Sequence, residues 1–218
     1  MRRLFSLALI LTLSAVAPAV ALSDPTVTVN LSTAQAQAAG SLAPVTAQDR
    51  IQGRADAPVT VVEYASFACS HCADWHNDVY PEFKRRFIDT GQVRYVFRNL
   101  PTSPQQMSLP GAALARCAAP EKFFDVAASL MHGQSAVFEG GRLENWYNPA
   151  IAVSGRTRDE IVACTGEAST RDAINRDIDT ATAAGVDSTP SFFVNGQRVM
   201  DRSIEGLGAA IRAAASAR

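Results

Sequence analysis

The chain has 218 residues, enough for one domain with an additional small lobe. Its hydrophobic fraction of 47% is ample for a core, so disulfides between its four cysteines are not needed to replace a hydrophobic core. The net charge of −1 argues against nucleic acid or an anionic membrane as a partner.

The first residues have the pattern of an export signal. Residues 1–3 are basic, residues 4–16 are almost wholly apolar, and residues 19–21 offer a small-x-small cleavage site. We expect a signal peptide over residues 1–21, because the apolar run is short for a membrane span; an uncleaved anchor is the alternative. Residues 22–50 lack aromatic side chains and clear periodicity, which predicts a flexible tail.

Two cysteines separated by two residues carry the main functional signal. Cys69-Ser70-His71-Cys72 follows an apolar strand predicted over residues 59–66 and opens a helix predicted over residues 69–89, with a kink at Pro81. If Cys69 caps this helix, unpaired backbone N–H groups and the helix dipole stabilise its thiolate. The arrangement is typical of a redox pair. Zinc is disfavoured, because no second CxxC or histidine pair completes a set of four ligands.

The next part of the chain predicts a strand and then a long helical region. The strand is expected over residues 93–97, and residues 104–184 have helical patterns. Breaks in these helices are expected at Pro110, Pro120, Gly140-Gly141, Pro149 and Gly155. Thr157 and Glu160 form a capping-box pattern, which predicts a helix start shortly before Cys164.

The end of the chain returns to strand patterns. Asn195-Gly196 lies between two short strand-like runs and predicts a β-hairpin. A closing helix is expected over residues 203–215. The whole pattern predicts an α/β domain over residues 51–218 with an inserted helical subdomain at about 104–184.

Cys117 and Cys164 stand outside the redox pair. Each lies on a predicted helix of the insertion, and an exported chain meets an oxidising environment. We expect a second, structural disulfide between them, since no other partner exists outside the redox pair. Two buried free thiols are the alternative.

Several motifs together resemble the DsbA family of periplasmic thiol–disulfide oxidoreductases, which have a thioredoxin fold. They are residues 58–64, Ser66-Phe67, Cys69-Ser70-His71-Cys72 and Thr189-Pro190, in this order along the chain. The resemblance covers residue 50 to the end, helical insertion included. Two departures exist: the best-known members have proline where this chain has Ser70, and Thr189 before the proline also occurs in related isomerase-type proteins.

The resemblance implies roles for individual residues. Cys69 would be the exposed nucleophile, Cys72 its buried partner, Glu63 the buried acid beneath the site, and Pro190 a cis proline. From the residues themselves, we expect the pKa of Cys69 to fall to about 4–6 at the helix start. His71 would contribute a hydrogen bond or a positive charge to the Cys69 thiolate, and Glu63 would accept the proton of Cys72 through water. The backbone at Thr189 would pair with an extended substrate.

Other side chains carry weaker signals. His76 is expected to be an exposed polar residue, and His132 to cap a helix C-terminus. Four aromatic residues could rim a peptide groove or, equally, pack in the core: Phe67, Trp75, Phe192 and Phe193.

Three functions remain open from the sequence. The first is a thiol oxidase that introduces disulfides into exported, periplasmic proteins. The second is a disulfide reductase or isomerase, although the tail lacks the apolar heptads of an oligomer seam. The third is a copper-binding protein that uses Cys69, His71 and Cys72. For the oxidase we expect no cofactor or metal, a monomer, reduced or unfolded exported proteins as partners, and, as the resemblance implies, reoxidation by a DsbB-like quinone-linked membrane oxidase.

Overall fold

The computed structural model describes residues 41–217. The predicted signal peptide over residues 1–21, and the predicted tail as far as residue 40, lie outside the described residues. Within residues 41–217, no helix combines the length and the apolar character that a membrane span needs.

Five strands form one sheet, and the apolar strand before the CxxC pair lies at its centre. They are β1 (Arg50–Gln52), β2 (Val59–Ala65), β3 (Val93–Asn99), β4 (Ser191–Val194) and β5 (Gln197–Val199), in the spatial order β1-β3-β2-β4-β5. β2 and β3 are parallel, whereas the other neighbouring pairs are antiparallel. Nearly every residue of β2 is buried, as expected for a strand covered on both faces.

A composite helix, α1, follows β2 and begins at the redox pair. It consists of α-helical turns at Ser70–Asp74 and Tyr80–Phe83 and π-helical turns at Trp75–Val79 and Lys84–Ile88. The first π-helical turn ends at Val79, two residues before Pro81, which has no backbone N–H to donate. The helix therefore changes from a π-helical to an α-helical turn beside Pro81, and the kink expected there stays a prediction.

Five helices lie between β3 and β4. They are α2 (Gln105–Cys117), α3 (Phe123–Phe138), α4 (Leu143–Ala152), α5 (Arg158–Thr165) and α6 (Ala168–Ala183), with a 3-10 turn at Pro120–Lys122. Two of the expected breaks are wrong, because Pro110 lies inside α2 and Pro149 inside α4. Each proline removes one backbone hydrogen bond, but buried neighbours such as Met107 and Ala150 hold these helices against the core.

The local signals at helix ends and turns are confirmed. Thr157 and Glu160 form both hydrogen bonds of a capping box at the start of α5. Asn195 and Gly196 have φ values of 45° and 85°, and they turn β4 into β5. The closing helix α7 (Ile204–Ser216) begins after Ser203, whose side chain accepts a hydrogen bond from the Gly206 N–H.

The core has one part on each face of the sheet. Val59 and Val61 of β2 belong to a large cluster with side chains of α1, α7 and the insertion. Val62 and Tyr64, which point to the opposite face, belong to a smaller cluster with Ala181 of α6. The predicted α/β fold with inserted helices is confirmed.

The folded part begins earlier than Ile51, where the sequence pattern placed its start. Leu42 and Val45 pack against the smaller cluster of the core. The buried Arg98 guanidinium donates hydrogen bonds to the carbonyl oxygens of Ala43 and Pro44 and to the Asp49 carboxylate. These residues show no periodic hydrophobic pattern, so the sequence did not indicate that they pack on the sheet and bind Arg98.

Candidate active site

Cys69 is the residue that starts α1. Its backbone is extended, with φ −94° and ψ 117°, and the next residue, Ser70, is the first of the helix. The pKa of Cys69 is lowered to about 5, first by a hydrogen bond from the Cys72 side chain and then by Thr189 and the backbone N–H groups of Cys72 and His71, while burial opposes the shift. Cys69 is therefore a thiolate at neutral pH and a competent nucleophile.

Cys72 differs from Cys69 in every respect that governs reactivity. Its side chain is fully buried, and burial is the first reason that its pKa is raised well above the ordinary thiol value. The Ser66 backbone N–H donates to Cys72 Sγ at 3.5 Å. Because one thiol is ionised and half-buried while the other is neutral and buried, only Cys69 can meet an external disulfide.

Thr189 and Pro190 lie far from the redox pair in the sequence, but the tertiary structure places them beside it. The Thr189-Pro190 peptide bond is cis, and the thiol of Cys69 lies 3.4 Å from the Thr189 carbonyl oxygen. Both residues are buried directly before β4, which pairs with the central strand β2. The expected juxtaposition of this segment with the CxxC is therefore present in the structure.

Glu63 lies beneath the pair, on β2. The side chain is fully buried, accepts a hydrogen bond from the Tyr95 hydroxyl, and has its Oε2 atom 3.0 Å from His76 Nε2. The Glu63 charge is one of the smaller causes that raise the pKa of Cys72. Glu63 on β2 thus contributes to the raised pKa of Cys72 on α1.

The expectation that His76 is exposed is wrong. Its side chain is 4% exposed and faces Glu63. The physical reason is helical geometry: His76 follows the buried Cys72 by four residues, and such residues share one face of a helix. Because histidine is polar, the residue type of His76 did not indicate burial. Its spacing of four residues from Cys72 could have indicated it.

His71 and Ser70 are exposed at the start of α1. The His71 ring is directed toward Asp74, with Nδ1 3.8 Å from a carboxylate oxygen, and its side chain is 69% exposed. Among the hydrogen bonds of residues 41–217, none joins this ring to Cys69; the backbone N–H of His71 acts on the thiolate instead. Of the two contributions expected from His71, the hydrogen bond from its ring is therefore absent, and its backbone N–H lowers the pKa of Cys69 in its place.

Gln134 is a site residue that the sequence did not reveal. It projects from α3 of the insertion, is buried, and donates from Nε2 to the carbonyl oxygens of Phe67 at 2.7 Å and Cys69 at 3.2 Å. A lone glutamine within a helical pattern carries no signal for such a contact. Its amide links the insertion directly to the backbone of the nucleophile.

A groove lies between the start of α1 and helix α3. It has a volume of about 610 Å³ and includes Ser70, Met131 and Phe138 in its lining. Phe138 is 50% exposed, so the groove has an apolar wall beside the CxxC. The aromatic residues considered for a groove rim are instead buried in the core: Phe67, Trp75, Phe192 and Phe193.

His132 does not cap a helix end. α3 continues past it to Phe138, so His132 lies within the helix and is exposed. Gly133 lies inside α3 where the Trp146 ring packs closely, and a Cβ at Gly133 would lie 3.0 Å from Trp146 Cδ1. The glycine thus serves a close contact between helices and not a helix stop.

Cys117 and Cys164 are joined by a disulfide in the helical insertion, with an S–S distance of 2.05 Å. Each sulfur lies 3.6 Å from the Thr170 hydroxyl oxygen. The bond connects α2 to α5. In the part of the chain that the structure describes, no group of three or more His, Cys, Asp or Glu side chains could hold a metal ion.

Comparison with known protein sequences gives two kinds of relative. A family model described as thioredoxin matches residues 45–213. A Rickettsia bellii protein named "Putative protein-disulfide oxidoreductase" is 30% identical over 168 residues, which are 75% of this chain and 63% of that protein. A Salinispora tropica protein named Na(+)/H(+) antiporter NhaA 3 is 34% identical over 176 residues, 78% of this chain and 26% of that protein. The chain thus spans less than two thirds of the length of these relatives.

Solved structures share the fold. BdbD from Bacillus subtilis superposes with a TM-score of 0.73 at 21% identity, over 82% of this chain and 98% of that one. Alpha-DsbA1 from Wolbachia pipientis gives 0.69 at 24% identity, over 80% and 94% of the two chains. The chain belongs to the thioredoxin family and has the fold of the DsbA structures, with the helical insertion included.

Proposed function

We propose that the protein is a thiol–disulfide oxidoreductase that oxidises pairs of thiols in exported proteins. The position of Cys69 at the start of α1, beside the buried Cys72, is the observation that carries this proposal, and these surroundings lower the pKa of Cys69 to about 5. A stabilised thiolate favours the reduced form of the Cys69–Cys72 pair, and a pair that favours its reduced form is a strong oxidant. The name of the Rickettsia relative supports the same chemistry.

The reaction follows from the difference between the two cysteines. A substrate thiolate attacks Cys69 of the oxidised pair, a substrate–Cys69 disulfide forms, and Cys72 leaves and takes up a proton. A second substrate thiolate then attacks the substrate sulfur of this mixed disulfide. The substrate gains a disulfide, Cys69 leaves as a thiolate, and the pair has accepted two electrons. Burial of Cys72 keeps external thiols away from its sulfur.

The surroundings of Cys69 suit an extended, unfolded chain as substrate. The Thr189 backbone lies beside the nucleophile and can pair with a substrate strand. The groove between α1 and α3 provides an apolar surface at Phe138 for a neighbouring substrate side chain. Both features select a flexible segment instead of a folded surface.

The proposal places the protein in the periplasm, because the N-terminal pattern is that of an export signal. It takes the protein to be a monomer, because the N-terminal tail lacks the apolar heptads of an oligomer seam. Its partners would be reduced exported proteins and a DsbB-like quinone-linked oxidase that restores the disulfide. We infer that the Cys117–Cys164 bond is structural, since the two cysteines lie in the insertion and pair with each other.

The test is whether the oxidised protein transfers its disulfide. One equivalent of oxidised protein, mixed with a reduced unfolded client, should form one client disulfide, and its potential should lie toward about −120 mV. A Cys117→Ala/Cys164→Ala variant should retain this activity, and a Cys69→Ser variant should lose it. A potential near about −270 mV would establish a reductase instead.

A further inference from the structure

The groove between α1 and α3 has a charge pattern that the proposed reaction does not use. It adjoins the nucleophile, because Ala68 and Ser70, the neighbours of Cys69 in the sequence, line it. Asp74 of α1 and Glu139 at the end of α3 line it as well, and no lysine, arginine or histidine is among its described lining residues. A side chain bound in this groove therefore meets negative charge.

A buried amide adds a neutral acceptor to the two carboxylates. Gln134 also lines the groove, although only 1% of the residue is exposed. Its Nε2 atom donates to the carbonyl oxygens of Phe67 and Cys69, which fixes the orientation of the amide, since an oxygen in that place would face two other oxygens. Among the hydrogen bonds of residues 41–217, none reaches Gln134 Oε1. This acceptor is therefore open to a donor from a client chain.

The carboxylates of the groove lie beside an apolar wall. Asp74 is 70% exposed, and its salt-bridge partner among the described residues is the His71 ring, at 3.8 Å. Glu139 is exposed and directly follows Phe138, whose side chain is 50% exposed. Lysine and arginine side chains combine an apolar stem with a charged end, so they match a wall that is apolar along its length and acidic at its rim.

We propose that this groove is a specificity subsite that binds a lysine or arginine side chain of the client, close to the reacting cysteine of that client. Asp74 and Glu139 attract the positive charge, Gln134 Oε1 accepts a hydrogen bond from the charged group, and the stem lies on the apolar wall. In an extended client that pairs with Thr189, side chains on one face recur at every second residue, so the basic residue is expected two positions from the cysteine. The inference deepens the proposed function and rests on it: the groove favours basic client segments over acidic ones.

The test compares three short peptides, each with one cysteine and with lysine, glutamine or glutamate two residues before and after it. The oxidised protein takes two electrons from two peptide thiols, and one peptide disulfide forms, so acid quenching and mass spectrometry give a rate for each peptide. At low ionic strength, the wild type should oxidise the lysine peptide at least about tenfold faster than the glutamate peptide. Added salt should reduce this ratio, because salt screens exposed charges.

Two matched variants locate the source of this preference. The groove variant, Asp74→Asn/Glu139→Gln, removes both groove charges, and it should lose at least about threefold of the lysine-to-glutamate ratio. The control, Glu121→Gln/Asp179→Asn, removes two exposed charges outside the groove lining and should keep the wild-type ratio. The 16 residues of α3 separate Glu121 from Glu139. Because all proteins meet the same peptides, the intrinsic reactivity of each peptide thiol cancels in this comparison.

Each outcome separates the two proposals. If the wild type oxidises none of the peptides, the proposed exchange reaction is wrong, and the subsite is wrong with it. If it oxidises all three peptides and the groove variant keeps the wild-type ratio, the subsite is wrong and the exchange reaction stands. Glu139→Lys gives a result that does not depend on folding of the double variant. It should shift the preference toward the glutamate peptide, and an unchanged preference would overturn the inference.

Discussion

The reactivity of the site depends on the different surroundings of two cysteines, Cys69 and Cys72. Cys69 at the helix start is surrounded by hydrogen-bond donors, which lower its pKa to about 5. Cys72, in the first turn of the same helix, is turned into the core, and burial raises its pKa. A separation of three residues therefore produces one nucleophile and one protected partner.

The lowered pKa of Cys69 predicts how the stability of the reduced protein depends on pH. A thiol whose pKa falls from 9.0 to about 5 on folding stabilises the folded state fully above about pH 9 and loses this contribution as the pH falls through about 5. The free energy of unfolding of the reduced protein, relative to the oxidised protein, should therefore rise from about pH 5 to about pH 9. Denaturant unfolding of both forms across this range measures the difference. The reduced Cys69→Ser variant should lack the rise, and a wild-type difference independent of pH would contradict the prediction.

At the scale of elements, the site lies where α1, the segment before β4 and helix α3 meet. The π-helical turn at Trp75–Val79 lies one turn after Cys72, and the Trp75 indole N–H donates to the Arg202 carbonyl oxygen before α7. On the other side of the start of α1, Gln134 of α3 donates hydrogen bonds to the carbonyl oxygens of Phe67 and Cys69. The start of α1 is therefore held from both the sheet domain and the insertion.

Gln134→Ala tests the link between the insertion and the nucleophile. The change leaves the buried Phe67 carbonyl oxygen and the partly buried Cys69 carbonyl oxygen without this donor, so the free energy of unfolding should fall by about 1–3 kcal/mol. Ser135→Ala, at the exposed neighbouring position of α3, is the matched control and should have little effect. Denaturant unfolding of the oxidised proteins gives both values. Equal losses in the two variants would show that the Gln134 amide is not needed.

At the scale of the whole molecule, a buried polar network joins the insertion to the sheet. The Asp177 carboxylate of α6 accepts hydrogen bonds from the backbone and side-chain amides of Asn99 on β3, at 2.8 Å and 2.9 Å. The same oxygen pairs with the buried Arg116 guanidinium of α2. One carboxylate thus connects two inserted helices with strand β3.

Asp177→Ala should destabilise the protein by about 3–5 kcal/mol, because it leaves the Arg116 charge buried without its partner. The matched control is Asp179→Ala, an exposed aspartate two residues further along α6, where the loss should be within about 0.5 kcal/mol. Urea unfolding followed by circular dichroism measures both. A loss at Asp177 no larger than that at Asp179 would contradict the role of the network.

Much of the fold was predictable because its signals are local. The apolar run of β2, the capping box at Thr157 and the Asn195-Gly196 turn each act through neighbours within a few residues. The spacing of the CxxC before a helix likewise predicted a redox pair. These features belong to chain segments whose conformation depends little on what packs against them.

The sequence by itself determined the redox pair, the order of elements and the candidate nucleophile. Only the tertiary structure decided that Glu63 meets His76, that Gln134 reaches Cys69, and that residues 42–49 cover one face of the sheet. These contacts join residues that lie far apart in the chain or follow from which helix face is buried. Polar side chains such as histidine and glutamine carry no hydrophobic pattern, so their burial depends on a partner that only the folded chain supplies.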